Sequence, residues 1–261
     1  MKHAFLTLIL LLGAFVARAE IKTETVEYKQ GDTTLEGYIA YDSSIKGKRP
    51  VIMIVHEWTG LGDYVKGRAK ELAEKGYVAF AMDIYGKGVR PAQGPEAAKE
   101  ASKYKDNRKL MRERAKAGYD FIKTKPYVDS SKMIAMGYCF GGTVALEMGR
   151  AGLPLAGVVS FHGGLSTPNP QDAAKNFKAK LLVLHGALDP NVKPEVPGFQ
   201  KEMDDAKVDY QFISYSGTVH AFTNPQAGND MSKGAAYNPV SDRRSMVAFL
   251  DFLNEVAPIT K

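Results

Sequence analysis

Cysteine is nearly absent: Cys139 stands alone in a chain of 261 residues. No internal disulfide can form, so the fold has to rest on its packed core. Beyond residue 16 no apolar run is long enough to span a bilayer. No glycine pattern marks a dinucleotide or phosphate loop, and the histidines after His3 (His56, His162, His185 and His220) form neither an i, i+4 pair nor an H-E-x-x-H helix, so no metal or cofactor is expected. The net charge of +6 comes from scattered side chains with no aromatic-interleaved stripe, which argues against a nucleic-acid partner. No repeat, low-complexity segment or linker divides the chain. An apolar fraction of 44% is ordinary for a globular protein and supports one sizeable core.

The first residues carry an address. Lys2 and His3 are a short basic start, Phe5 to Val16 is apolar, and Ala17-Arg18-Ala19 fits an A-x-A cleavage site. This pattern predicts a secretory signal peptide over 1–19, cleaved after Ala19, and a periplasmic or secreted protein with no stable membrane association afterwards. Its loss removes Lys2 and Arg18 and no acid, leaving 33 basic and 29 acidic side chains. Residues 20–261 then form a single domain. A lone thiol is a liability in an oxidising compartment, which favours a chemical use for Cys139.

Within that domain, residues 21–42 alternate as a hairpin about Gly31-Asp32. Apolar strands follow at 50–55, 77–82, 133–136, 155–161 and 179–184, as expected where helices cover both faces of a sheet, and the aromatic stretch 210–215 reads as the last strand, against the core. Helical spacing covers 64–74, 106–124, 143–148, 196–206 and 242–255, and 83–98 is predicted to be irregular. Strands alternating with helices predict an α/β fold with a mostly parallel sheet.

In such sheets ligands gather at the carboxyl ends of the strands, and Glu57, Asp83, Cys139, His162, Asp189 and His220 each follow a strand. Gly137-Tyr138-Cys139-Phe140-Gly141 links a strand to a helix with the spacing of a nucleophile elbow, cysteine replacing serine. Small residues relieve the crowded backbone there, and the helix dipole favours a thiolate. Cys139, Asp189 and His220 occur in the α/β-hydrolase order of nucleophile, acid, histidine. In those roles Cys139 attacks a carbonyl carbon, His220 moves the proton, and Asp189 fixes the histidine tautomer. Backbone N–H groups of Phe140 and of the Glu57–Trp58 turn would hold the oxyanion. His56 and His185 read as structural, because a triad needs one histidine; His162, before Gly163-Gly164, is open between a structural and a chemical place. Asp83 reads as ordering a loop.

Together His56-Glu57-Trp58, Gly137-Tyr138-Cys139-Phe140-Gly141-Gly142, His185-Gly186-Ala187-Leu188-Asp189 and Gly217-Thr218-Val219-His220-Ala221-Phe222 resemble the dienelactone hydrolase family (carboxymethylenebutenolidases), from about residue 22 to the last helix. The resemblance implies an α/β-hydrolase fold, enol-lactone hydrolysis through a cysteine thioester, no cofactor, Glu57 as the modulator of the cysteine, and Trp58 as the second oxyanion donor. It also places Tyr85 near the pocket and puts Lys87 and Asn224 where the family binds a substrate carboxylate with arginines. Neither replaces a guanidinium fork, although Arg90 lies nearby in sequence, and export departs from the usual cytoplasmic setting. The expected partner is therefore another small-molecule ester or lactone, handled by a monomer. The alternatives are a general carboxylesterase or thioesterase, and a catalytically idle binding protein of the cell envelope on the same fold.

Overall fold

The computed structural model describes residues 19–259; the expected signal peptide lies outside them except for Ala19. Eight strands form one sheet: β1 (Ile21–Gln30), β2 (Thr33–Asp42), β3 (Arg49–Val55), β4 (Val78–Met82), β5 (Val128–Tyr138), β6 (Gly157–Phe161), β7 (Lys180–Gly186) and β8 (Tyr210–Tyr215). Their order is β1-β2-β4-β3-β5-β6-β7-β8. β1 and β2 form the expected hairpin, and β2 joins β4 antiparallel. From β4 to β8 every pairing is parallel.

Parallel pairing explains the continuous apolar runs. Val51, Met53 and Val55 of β3 point into one core, Ile52 and Ile54 into the other. The second core is closed by α1 (Asp63–Ala73) and α7 (Pro239–Val256), through Val65, Leu72, Phe249 and Leu253. The first is closed by α2 (Pro95–Lys105), α3 (Arg108–Lys123), α4 (Phe140–Arg150), α5 (Gln171–Asn176) and α6 (Val196–Asp205).

Two expectations needed correction. The irregular stretch ends at Gly94, not at residue 98, because Pro95 opens α2 from its first position, where a missing N–H has no helical acceptor to lose. The helix expected from residue 106 begins at Arg108, where the Asn107 side chain caps α3 by accepting a 3.0 Å hydrogen bond from the Leu110 N–H. The short helix α5 had no counterpart in the sequence reading.

Candidate active site

The carboxyl ends of the parallel strands bring the expected residues to one edge. β5 passes through Cys139, at φ 54° and ψ −116°, directly into α4. Such a left-handed turn is uncommon for a side chain other than glycine. The flanking glycines permit it: a Cβ on Gly137 would lie 2.1 Å from the Gly141 carbonyl oxygen, and one on Gly141 would lie 2.2 Å from that of Val55. The cysteine stays partly exposed at the N-terminus of α4.

Asp189, fully buried after β7, is anchored by its own turn. Its Oδ1 accepts from the N–H groups of Asn191 (3.0 Å) and Val192 (3.2 Å). Its Oδ2 is left for Nδ1 of His220 at 2.6 Å. Burial works against the Asp189 charge, but these bonds and the facing imidazolium outweigh it and bring its pKa below the usual carboxylate range. The other face of His220 is turned to the cleft that Cys139 also lines. Burial disfavours the imidazolium, yet its attraction to the Cys139 sulfur and the bond it donates to Asp189 push the His220 pKa up to about 10. Imidazole and carboxylate are thus hydrogen-bonded to each other, and Cys139 lines the same cleft as the imidazole.

That cleft, of about 730 Å³, is bounded by Glu57, Trp58, Phe140, Thr143, Val192 and Ala221, with Lys105 and Lys233 exposed to solvent. Burial raises the Glu57 pKa, and the Asn224 amide opposes it by donating to Oε2 at 2.9 Å. Phe140 is the first residue of α4, so its N–H has no acceptor inside the helix. The Trp58 N–H makes no hydrogen bond among the described residues.

The remaining sequence candidates divide. Tyr85 is buried behind the cleft; its hydroxyl donates to the Trp58 carbonyl at 3.1 Å and its ring stacks on Tyr104. Asn224 lines the cleft but spends its amide on Glu57. Lys87 does not reach the cleft, contrary to expectation. Its N–H pairs with the Thr34 carbonyl on the hairpin, which turns the side chain outward to Glu27 at 2.6 Å. Arg90 is spent on the carbonyls of Leu61 and Val89 and on Glu36. Asp83 orders its loop by accepting from the N–H groups of Tyr85, Gly86 and Glu36. His56 is a satisfied buried imidazole between the Glu57 carbonyl and the Ile84 N–H. His185 is also buried, which lowers its pKa. Tyr64, Thr223 and Glu195 were missed. Glu195 holds the cleft wall by accepting from the N–H groups of Leu165 and Ser166, and no local pattern announces such loop contacts.

A sheet of this order, with its chemistry gathered where the parallel strands end, is an α/β-hydrolase fold. Residues 35–257 match the model of the dienelactone hydrolase family, and the chain belongs to that family of ester- and lactone-hydrolysing enzymes. It is 30% identical over 213 residues to a putative carboxymethylenebutenolidase of Aquifex aeolicus, covering 77% of this chain and 87% of that one. Among solved structures it superposes on one designated m3DLH with a TM-score of 0.87 and 34% identity, over 91% of this chain and 99% of the other. A dienelactone hydrolase-like promiscuous phosphotriesterase from metagenomic libraries gives a TM-score of 0.85 at 34% identity, with the same coverage.

Proposed function

We propose that the protein hydrolyses small carboxylic esters or lactones with an uncharged acyl part, through a thioester on Cys139. The observation that carries this reading is the Asp189–His220 bond of 2.6 Å, pinned from behind by two amides and leading to a cysteine held at a strained elbow. The Cys139 thiolate attacks the carbonyl carbon, and the charge that develops on its oxygen meets the N–H groups of Phe140 and Trp58. One such donor lowers a barrier by about 3 kcal/mol. As the carbon–oxygen bond breaks, His220 gives its proton to the departing alkoxide. It then takes a proton from water, which attacks the thioester and releases the acid and the thiolate. Glu57 faces the same space, and Asn224 holds it in place.

The acyl part is read as uncharged because, among the described residues, no arginine lines the cleft and its two lysines, Lys105 and Lys233, are exposed to solvent. A carboxylate on the acyl carbon chain would also face Glu57. The name of the Aquifex relative, a putative carboxymethylenebutenolidase, supports a lactone ring as one substrate type; that lactone carries a carboxyl group, and the neutral reading for this chain rests on its cleft lining alone.

Export follows the same reading. Cleavage after Ala19 makes the Glu20 nitrogen an α-ammonium, and that nitrogen already lies 3.0 Å from Oδ1 of Asp42. The mature protein from the periplasm or medium should therefore have a mass that starts at Glu20.

The decisive experiment is hydrolysis of p-nitrophenyl acetate and of a neutral and an anionic enol-lactone by the mature protein, Cys139→Ala and His220→Ala. Activity on the ester and the neutral lactone should fall at least about a thousandfold in both variants. Activity that survives both, or an anionic lactone preferred over the neutral one, overturns the proposal.

A further inference from the structure

His162 follows β6 and touches both ends of the reacting pair. Its Nδ1 faces the backbone N–H of Cys139 at 3.1 Å. That N–H is shared with the Phe161 carbonyl at 3.0 Å. An amide can only donate, so Nδ1 carries no proton, and the imidazole hydrogen sits on Nε2. There it points to Oγ1 of Thr223 at 2.8 Å. Thr223 is fully buried and is fixed in turn. The Tyr64 hydroxyl lies 2.8 Å from its Oγ1 and 3.1 Å from its carbonyl oxygen, and Arg68 donates to the same carbonyl at 3.1 Å while pairing with Asp242 at 2.8 Å. The imidazole ring packs edge-on between His220 and Phe222, 5.1 Å from each.

Cys139 and His162 end adjacent parallel strands, and both hold positive φ, 54° and 41°. A side chain in that region is strained and persists only where its surroundings over-determine it. The bond between them joins the two strained turns. Burial and the neighbouring positive charge of His220 both oppose protonation of His162, in keeping with the neutral tautomer that the hydrogen bonds require.

We infer that His162 is a positioning residue for the hydrolysis proposed above: one neutral imidazole holds the nucleophile's own amide, backs the ring of its base, and is locked in that tautomer by Thr223. The role is to aim Sγ and the His220 ring at each other. His162 itself exchanges no proton with substrate.

The test uses His162→Phe, which keeps a ring and loses both bonds, with Thr223→Val, which keeps shape and removes the hydroxyl, and Thr223→Ser, which restores it. Turnover and KM for p-nitrophenyl acetate, the rate of Cys139 alkylation by iodoacetamide, and Tm are measured for each, well below its melting temperature. A misplaced reacting group can cost up to about a hundredfold in rate, so His162→Phe and Thr223→Val should lose at least about tenfold in kcat and alkylation rate with KM little changed, and Thr223→Ser should recover most of it. A change in Tm alone, with kcat and alkylation rate within about twofold of wild type, would falsify the inference, because that is the signature of ordinary packing. The inference rests on the hydrolase reading, and the two fail separately. An inactive wild-type protein sinks the hydrolase reading, whereas the alkylation rate still decides whether His162 sets the thiol.

Discussion

Glu57 is a carboxyl placed where its charge is poorly solvated. Burial raises its pKa above its ordinary 4.5, and the Asn224 amide and the His220 charge offset that only in part. The linkage has a definite sign. A carboxyl that binds its proton more tightly in the folded state adds stability at low pH and takes it away as pH rises from about the unfolded value through the folded one. Glu57→Gln removes this titration while keeping an amide in place of the carboxyl. We expect its melting temperature to approach or fall below that of wild type at pH 4, to gain on wild type as pH rises through the raised pKa of Glu57, and to hold that lead above it. Thermal melts across that range check it, and a constant difference at every pH would contradict the burial argument. Asn224 gives the same picture from its partner. The sequence could place it near the substrate, but not show that its amide would be taken by Glu57 at 2.9 Å, because that contact joins residues 167 positions apart.

At the scale of elements, what was legible follows from what periodicity encodes. Strands β3, β4, β6 and β7 and the second half of β5 were visible because both faces are buried and each reads as one apolar run, whereas the edge strand β8, with Gln211 and Ser214 exposed, was visible from its aromatic and β-branched residues. The Cys139, Asp189 and His220 positions were visible because each strand end is short and carries its motif next to the run. Helix α2 was hidden by Gly94-Pro95, which reads as a breaker and acts as a start. Lys87 was misplaced because its position depends on a backbone bond to the hairpin, a pairing no local pattern contains. The elbow is the element with least tolerance. A methyl at Gly141 would press into the Val55 carbonyl at 2.2 Å, and backbone cannot yield as a flexible side chain can. Gly141→Ala should therefore either fail to accumulate or fold with β3 and α4 displaced, with kcat reduced by about a hundredfold from misplacement of the thiol. Gly198→Ala is the control, since nothing lies within 4 Å of a Cβ there. Equal activity in the two variants would remove the steric account of the elbow.

Across the whole molecule, the helical layer behind the elbow is joined by a buried ionic network. Arg150, fully buried at the end of α4, makes two bonds to Glu202 of α6, at 2.8 and 2.7 Å, one to Glu147 at 3.1 Å, and one to the Leu165 carbonyl at 2.8 Å. Glu147 also accepts from Arg112 of α3 at 2.8 Å, and Arg112 reaches Asp172 of α5 at 2.7 Å. One guanidinium therefore ties the helix that carries Cys139 to α6 and to the loop that walls the cleft. The paired network is weak evidence of net stability, because ion desolvation offsets its attraction, but breaking it is costly, since a buried carboxylate is left without its partner. Arg150→Met should lose about 3–5 kcal/mol in urea unfolding. Glu202→Gln should lose less, because Arg150 keeps Glu147 and the Leu165 carbonyl. The order of the two losses is the test. If Glu202→Gln costs more than Arg150→Met, the guanidinium is not the shared centre of the layer, and α4 is held in place by its apolar contacts with β5 and β6.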